Sequence, residues 1–581
     1  MPLFPTNQDP SSLPTIFSEY FTEKISTIRS AFPLSDISTT QNCSHFSGTH
    51  LEIFKPVTEK HVLQILRKTS PKTCELDPIP TKLLYENFDI LLPSITAIIN
   101  ESLSSGIIPS QLKSAMVKPH LKKPSLDKNS LKNYRPVSNL PFLSKILEKV
   151  VLHQLLSHLQ HNDLCNAYQS AYRAGHSTET TLLRVVNDLL KTMDNDDISV
   201  LLLLDLSAAF DTVDHHILLS RLENVFGIHS AALQWFRSYL LDRFQFVSVD
   251  NLRSATTPLL YGVPQGSVLG PVLFVLYTTP LSDTISAHPV NHHLYADDTQ
   301  LQNTGQPSNI HTVTQELQAC TDDIKTWMGN NQLKLNDDKT EAIMFSPPSL
   351  PSSCILPSHI TVGSHVIPFA GKVRNLGFTL DAKLSMKQHV TKVCQAAFYE
   401  LKRISSIRKY LTEDATKTLV TSCILSRLDY CNSLLMGSPQ SVIEPLQKVQ
   451  NSAARLILKA SRRQPCTPLM KQLHWLPVSE RIKYKTACLC FSCIIDLAPL
   501  QLSELVQTYI PSRALRSADD SRILKVPSYK RKTHGYRSFS CCGPALWNSL
   551  PYNVRHSATT ASFKSSLKTH LFSQYYLDKR S

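Results

Sequence analysis

Glycine is scarce in this chain, 15 of 581 residues, so any local concentration of it marks a place where the backbone must come close to something or bend sharply. Long apolar runs are missing: none approaches the roughly 18 residues of a membrane-spanning helix. The first residues, Met1-Pro2-Leu3-Phe4-Pro5, supply neither the basic nor the apolar part of a secretion signal. These two absences set the expectation of a protein of the nucleus and cytoplasm, with no membrane partner. Regular cysteine spacing is lacking too. The 14 cysteines form no framework, which in a large chain argues for reduced thiols rather than disulfides. The tightest group, Cys488, Cys490 and Cys493, shares an apolar stretch with Leu489, Phe491, Ile494 and Ile495. Buried thiols are therefore its leading reading, and a zinc site completed by His474 or Cys466 is the alternative. No internal repeat or low-complexity tract occurs.

What is present is an ordinary globular composition, 42% hydrophobic and 18% charged, in a length that suits roughly two to four domains. Acid is withheld from one region. Residues 401–581 hold 28 Lys+Arg against 10 Asp+Glu, whereas residues 1–400 hold 32 against 36. All of the net +14 thus belongs to the C-terminal third, an excess that suits a polyanionic partner better than a solvated surface. A smaller basic island covers residues 113–149.

Chemistry concentrates in the stretch Leu294-Tyr295-Ala296-Asp297-Asp298-Thr299-Gln300-Leu301. Two adjacent carboxylates stand between apolar residues, where a strand would turn back on itself. Upstream, VLLLLDLSAAFD at residues 200–211 is an apolar run of buried-strand length that ends on Asp205. Carboxylate oxygens are hard ligands that suit magnesium. Asp205, Asp297 and Asp298 together suit two such ions flanking a transferred phosphoryl group, as in polymerases. The pair Asp519-Asp520, after Ala518, imitates the motif but lies in a polar loop context. Asp211 and Asp214, close to Asp205 in sequence, are read as capping or favouring the first turn of the helix that contains His216, Ile217 and Leu218.

Six blocks run in order along the chain: KNYRPVS (132–138), QSAYRAGHST (169–178), the Asp205 block, GVPQGSVLGP (262–271), YADD (295–298) and LNDDKT (335–340). In this order and spacing, from about residue 76 to near the C-terminus, they resemble the reverse transcriptase of non-LTR (LINE-type) retrotransposons, most closely the jockey-like branch. The segment GPALWNSLP at 543–551 is similar to the C-terminal portion of that branch.

The resemblance implies an RNA-directed DNA polymerase of right-hand architecture, α+β, followed by a mainly helical basic C-terminal region. It implies magnesium, or manganese in its place, at Asp205, Asp297 and Asp298. The implied partners are an RNA template, a DNA primer or nicked target DNA, and deoxynucleoside triphosphates. Lys122 and Arg135 match the family's cations for the incoming triphosphate. Phe210 matches its steric gate against a ribose 2′ hydroxyl, a core aromatic being the alternative. Gln265 and Gly266 lie in a block similar to the loop beside the nascent base pair, a tight packed turn being the alternative. Lys339 matches a proton donor to pyrophosphate, with a salt bridge to Glu341 or Asp338 as the alternative, and Arg173 is read as supporting the fingers or the template strand. Complete elements of this branch carry an N-terminal endonuclease, which the roughly 75 residues ahead of the first polymerase-like element cannot hold, so a polymerase without it is expected. A decayed or host-adopted copy that only binds nucleic acid is the rival reading.

Along the chain, residues 1–50, rich in Ser, Thr, Pro and Asn, are expected to be a loosely ordered leader. Residues 51–380 are expected to form fingers and palm, 381–460 thumb-like helices, and 461–581 the basic C-terminal region. Apolar spacing predicts helices over 178–191, 217–226 and 384–411, the last through Val390, Val393, Ala397, Leu401, Ile404 and Ile407.

Overall fold

The computed structural model describes residues 4–32, 46–350, 356–510 and 522–577. The imitation pair Asp519-Asp520 lies outside them. Helices and sheets are mixed, in agreement with the α+β class. The chain divides into two compact units: Met1–Tyr172 with Asp205–His288 and Cys320–Asp337, and Arg173–Leu204 with Pro289–Ala319 and Asp338–Ser581.

The first unit is built on the strand Ser114–Leu121, which pairs antiparallel with Tyr134–Asn139 and parallel with Phe244–Val249. One face of this sheet, through Val117, Tyr134, Val247 and Val249, packs against Leu13, Phe17 and Phe21. That contact corrects part of the reading of residues 1–50, because Leu13–Ser30 is an 18-residue helix rather than loosely ordered, while residues 1–3 and 33–45 lie outside the described residues. Its large apolar residues recur at i, i+4 and i+8, so they form one stripe, and the polar majority of the segment fills the other faces. The fully buried Phe17 ring meets the Tyr134 ring edge-on at 4.9 Å. The helices Phe142–His161, His215–Asn224 and Ser230–Leu240 are among those of this unit.

The second unit holds a four-stranded antiparallel sheet in the order Glu341–Phe345, Ile198–Leu204, Asp298–Gly305, Asn291–Tyr295. The strand Ile198–Leu204 lies inside this sheet, with Val200, Leu201 and Leu202 fully buried, which accounts for its unbroken apolar sequence. Leu201, Ile343 and Phe345 join one core with the helices Thr178–Asp194, Lys387–Ile407, Gln440–Leu458, Val478–Ile494, Phe539–Asn548 and Thr560–Tyr576. The first of these starts on a capping box between Ser177 and Thr180. Cys490 and Cys493 are buried in that core, and burial pushes the Cys493 thiol up to about 12 and the half-buried Cys488 thiol up to about 11. In that core they pack as small apolar side chains do. Trp547, also fully buried, packs near Phe491 and Phe563 and donates its indole N–H to the Arg522 carbonyl at 2.6 Å.

If the first helix is structural, Phe17→Ala destabilises its unit by about 3–5 kcal/mol. Glu19→Ala, on the exposed face, changes stability by less than about 0.5 kcal/mol. Urea denaturation followed by limited proteolysis separates the two outcomes, and equal midpoints would return the segment to a passive leader.

Candidate functional site

The acidic pair stands on a hairpin. Asn291–Tyr295 and Asp298–Gly305 pair with Tyr295 opposite Asp298, so Ala296 and Asp297 alone make the turn. Ala296 carries φ 57°, the left-handed region, as the first central residue of the tightest hairpins requires. Both aspartates are half-buried. The neighbouring strand pairs in register with Leu204 opposite Thr299. Asp205 is the residue after Leu204, and Asp298 is the residue before Thr299.

In its own unit, Asp205 precedes the short strand Leu206–Ser207, which pairs antiparallel with Lys334–Leu335. Its carbonyl accepts from the Asn336 N–H at 2.8 Å, and its Oδ2 accepts from Asn336 Nδ2 at 3.4 Å. Asn336 of the LNDDKT block is thereby tied to Asp205. The sequence places Asn336 in that block but carries no signal for this bond. Lys339 is exposed on the short turn Asp337–Lys339.

The glycine-rich block is held from three sides within the first unit. Gly262 has φ 81°, and a Cβ on it would lie 2.7 Å from the Asp211 carbonyl oxygen. Gly266 has φ 126°, and a Cβ there would lie 2.4 Å from the Ser138 oxygen. The scarce glycines are therefore spent on two close backbone crossings. The Ser138 N–H donates to the Gln265 carbonyl at 2.8 Å, fixing the loop to the strand Tyr134–Asn139. At the loop's far end, Glu148 accepts from the N–H groups of Val268 and Leu269 at 2.7 and 3.0 Å and from the Tyr239 hydroxyl at 3.2 Å. Burial pushes the Glu148 carboxyl up, while those donors and the Arg243 guanidinium act the other way. The sequence held a signal here, a carboxylate inside the apolar run of Ile146, Leu147, Val150 and Val151.

The two aspartates read as caps divide. Asp214 caps the helix His215–Asn224, accepting from the N–H groups of His216 and Ile217 at 2.9 and 3.1 Å, and pairs with Arg29 at 2.8 Å. Asp211 is no cap. Its two carboxylate oxygens accept from Gln265 Nε2 at 2.8 and 2.9 Å. Burial pushes its pKa up to about 6, against the pull of that bond and of Lys24. Phe210 is half-buried, its ring stacked on Phe274 at 4.7 Å, so it has both a packed face and an open part.

Lys122 and Arg135 come together on one hairpin. Leu121 pairs with Tyr134, and the Lys122 N–H donates to the Asn133 carbonyl at 2.8 Å. Both side chains are exposed; Lys122 Nζ donates to the Lys132 carbonyl at 2.7 Å. Arg173 is half-buried in the second unit, ahead of the helix Thr178–Asp194.

Residues 121–380 match the family model described as reverse transcriptase (RNA-dependent DNA polymerase). The chain is 31% identical over 323 residues to the RNA-directed DNA polymerase from mobile element jockey of Drosophila melanogaster, covering 55% of this chain and 34% of that one. It is 27% identical over 430 residues to the probable RNA-directed DNA polymerase from transposon BS of the same species, covering 73% and 46%. A probable RNA-directed DNA polymerase from transposon X-element, also of that species, is 26% identical over 368 residues, covering 62% and 39%. The chain thus spans between a third and a half of the length of these curated relatives.

The turn gives a direct test of backbone geometry. A β-branched residue is poorly tolerated in the left-handed region, so Ala296→Val lowers stability by about 1–2 kcal/mol. Ala296→Gly leaves it equal to or above wild type. Chemical denaturation of the three proteins reads the order, and a stable Val variant would mean that the turn has another shape.

Proposed function

On the premise that residues 121–380 are a reverse transcriptase domain, we propose that the chain is an RNA-directed DNA polymerase of a non-LTR mobile element. It extends a primer 3′ hydroxyl on an RNA template with deoxynucleoside triphosphates. One observation carries this most: adjacent carboxylates at a two-residue turn, Asp297 in it and Asp298 opening the next strand, in a sheet whose register pairs Leu204, the residue before Asp205, with Thr299. The similar proteins, named as RNA-directed DNA polymerases of mobile elements, support the same reading.

Asp205, Asp297 and Asp298 would hold the divalent ions, magnesium or manganese. Among the described residues no three His, Cys, Asp or Glu side chains are gathered as a metal cage. Magnesium does not need one, since it binds through one or two carboxylates and completes its shell with water and substrate phosphate oxygens. With ions bound, the site has the positive charge that lowers the pKa of the primer hydroxyl and neutralises the leaving pyrophosphate. Asn336, bonded to Asp205, orients that carboxylate. Lys122 and Arg135 meet the triphosphate, a point charge beside a planar fork. Lys339 gives a proton to the departing pyrophosphate. The open part of Phe210 lies against the sugar, and Gln265 and Gly266 flank the nascent pair.

The first unit's sheet and glycine loop fit fingers and part of a palm. The carboxylate hairpin fits the palm, and the helix Lys387–Ile407 fits the start of a thumb. The basic residues after 401 hold template and primer, an interaction that weakens steeply with salt. No helix among the described residues is long and apolar enough to cross a membrane. Work in the nucleus and cytoplasm is part of the proposal.

Asp297→Ala and Asp205→Ala are each expected to reduce nucleotide incorporation to background while RNA binding stays close to wild type. Primer extension on an RNA template, with a filter-binding control, reads both. Extension by either folded variant would overturn the metal assignment. Absence of extension by the wild-type chain would favour a copy that only binds nucleic acid.

Phe210→Val should raise ribonucleotide use relative to deoxynucleotide by roughly 10- to 100-fold, the scale on which a pocket distinguishes one hydroxyl. Single-nucleotide incorporation with each sugar measures the ratio. An unchanged ratio in an active variant assigns the ring wholly to the Phe274 stack.

A further inference from the structure

We propose that Asp211 is a positioning residue for nucleotide addition, acting by fixing which end of the Gln265 amide faces it. The inference rests on the reading of Gln265 as a nucleotide-side residue and adds the group that sets its orientation.

The geometry is specific to a carboxylate. Gln265 Nε2 lies 2.8 and 2.9 Å from the two oxygens of Asp211. An ionised carboxylate only accepts hydrogen bonds, so the amide must turn its NH₂ end toward Asp211 and keep Oε1 away from it. A charge-assisted bond of this kind is stronger than a neutral one. The main chain of Gln265 is held separately, its carbonyl accepting from the Ser138 N–H at 2.8 Å. Backbone and side chain are thus pinned by different elements, and only the side-chain pin depends on Asp211.

Asp211 is itself held in place. Its carbonyl lies so close to Gly262 that any Cβ there would stand 2.7 Å from it, and its N–H donates to the Ala208 carbonyl at 2.9 Å. Asp211 and Gln265 line a cavity of about 40 Å³, large enough to admit water, together with Lys24 and Ser18 of the first helix and Gln245 and Tyr261. Lys24 is the charged side chain that acts on Asp211 there, and Tyr261 carries the Arg29 guanidinium over its ring at 3.6 Å. The helix Leu13–Ser30 therefore closes the space behind the pair. A helix cap, the role read from sequence, would leave no reason for a half-buried carboxylate whose oxygens both meet one amide.

The test is steady-state single-nucleotide incorporation by the full chain, comparing Asp211→Ala, Asp211→Asn, Gln265→Ala and the double Ala variant. If Asp211 acts through Gln265, Asp211→Ala raises the KM for the deoxynucleotide on the order of tenfold, the scale of one charge-assisted bond. Gln265→Ala does the same, and the double variant is no worse than either single one. The change falls on KM rather than kcat. The pH profile adds a readout that packing alone would not move. Because the carboxylate form holds the amide, wild-type kcat/KM should fall as the pH drops through about 6, and Asp211→Asn should lack that limb. Should the Ala variant fail to fold, the isosteric Asn variant carries both measurements.

Effects of the two Ala substitutions that multiply would overturn the inference, as would an unchanged KM in Asp211→Asn together with a retained acid limb. A raised KM in Gln265→Ala beside an unchanged one in both Asp211 variants withdraws the inference and leaves the nucleotide reading of Gln265 standing. An unchanged KM in Gln265→Ala withdraws that reading itself.

Discussion

Much of this structure depends on the register of one buried strand. Ile198–Leu204 has sheet partners on both sides, Glu341–Phe345 and Asp298–Gly305. Its Val200, Leu201 and Leu202 have no exposed surface, so every residue is committed to a face. A slip by one residue would turn each side chain to the opposite face, which a strand buried this fully cannot accept. The pairing of Leu204 with Thr299 is therefore enforced by packing along the whole strand. The acidic hairpin inherits its placement from that pairing rather than from anything local to the aspartates.

A comparable economy governs the loop of the first unit. Glycine is withheld almost everywhere, yet appears at 262 and 266, where backbone meets backbone closely enough to exclude a methyl group. The loop then needs anchors that do not rely on its own side-chain packing. Buried Glu148 supplies one at Val268 and Leu269, and the strand Tyr134–Asn139 supplies the other at Gln265. A carboxylate without its donors in such surroundings would be costly. Glu148 thus makes the loop's conformation and the unit's packing a single requirement.

The parts legible in the sequence were those with short-range signatures. The apolar run before Asp205, the hairpin at 295–298 and the helices near 178–191 and 217–226 follow from period and turn chemistry, and each occurs within a few residues of its expected bounds. Less legible was whatever depends on a distant partner. The stripe of Leu13, Phe17 and Phe21 has helical spacing, but its meaning comes from Tyr134 and Val247, more than a hundred residues away. Asp211 and Asp214 look alike in sequence, and only the arrival of Gln265 from a loop 54 residues on separates anchor from cap. The cysteines of Val478–Ile494 were readable because their neighbours are apolar, so burial needed no distant information. The carboxylates at 205, 297 and 298 were readable from their own pattern, whereas the nucleotide-side roles follow from the resemblance.

The core of the second unit reaches far along the chain. Helices as late as Thr560–Tyr576 share that core with Leu201 and Ile343 of the carboxylate-bearing sheet. The final stretch is accordingly no detachable appendage. A premature stop after residue 400 strips partners from the very sheet that presents Asp297 and Asp298, leaving apolar surface in their place. Shortening of the reading frame from its 3′ end would then act on the core behind the carboxylate hairpin as well as on the basic residues it removes.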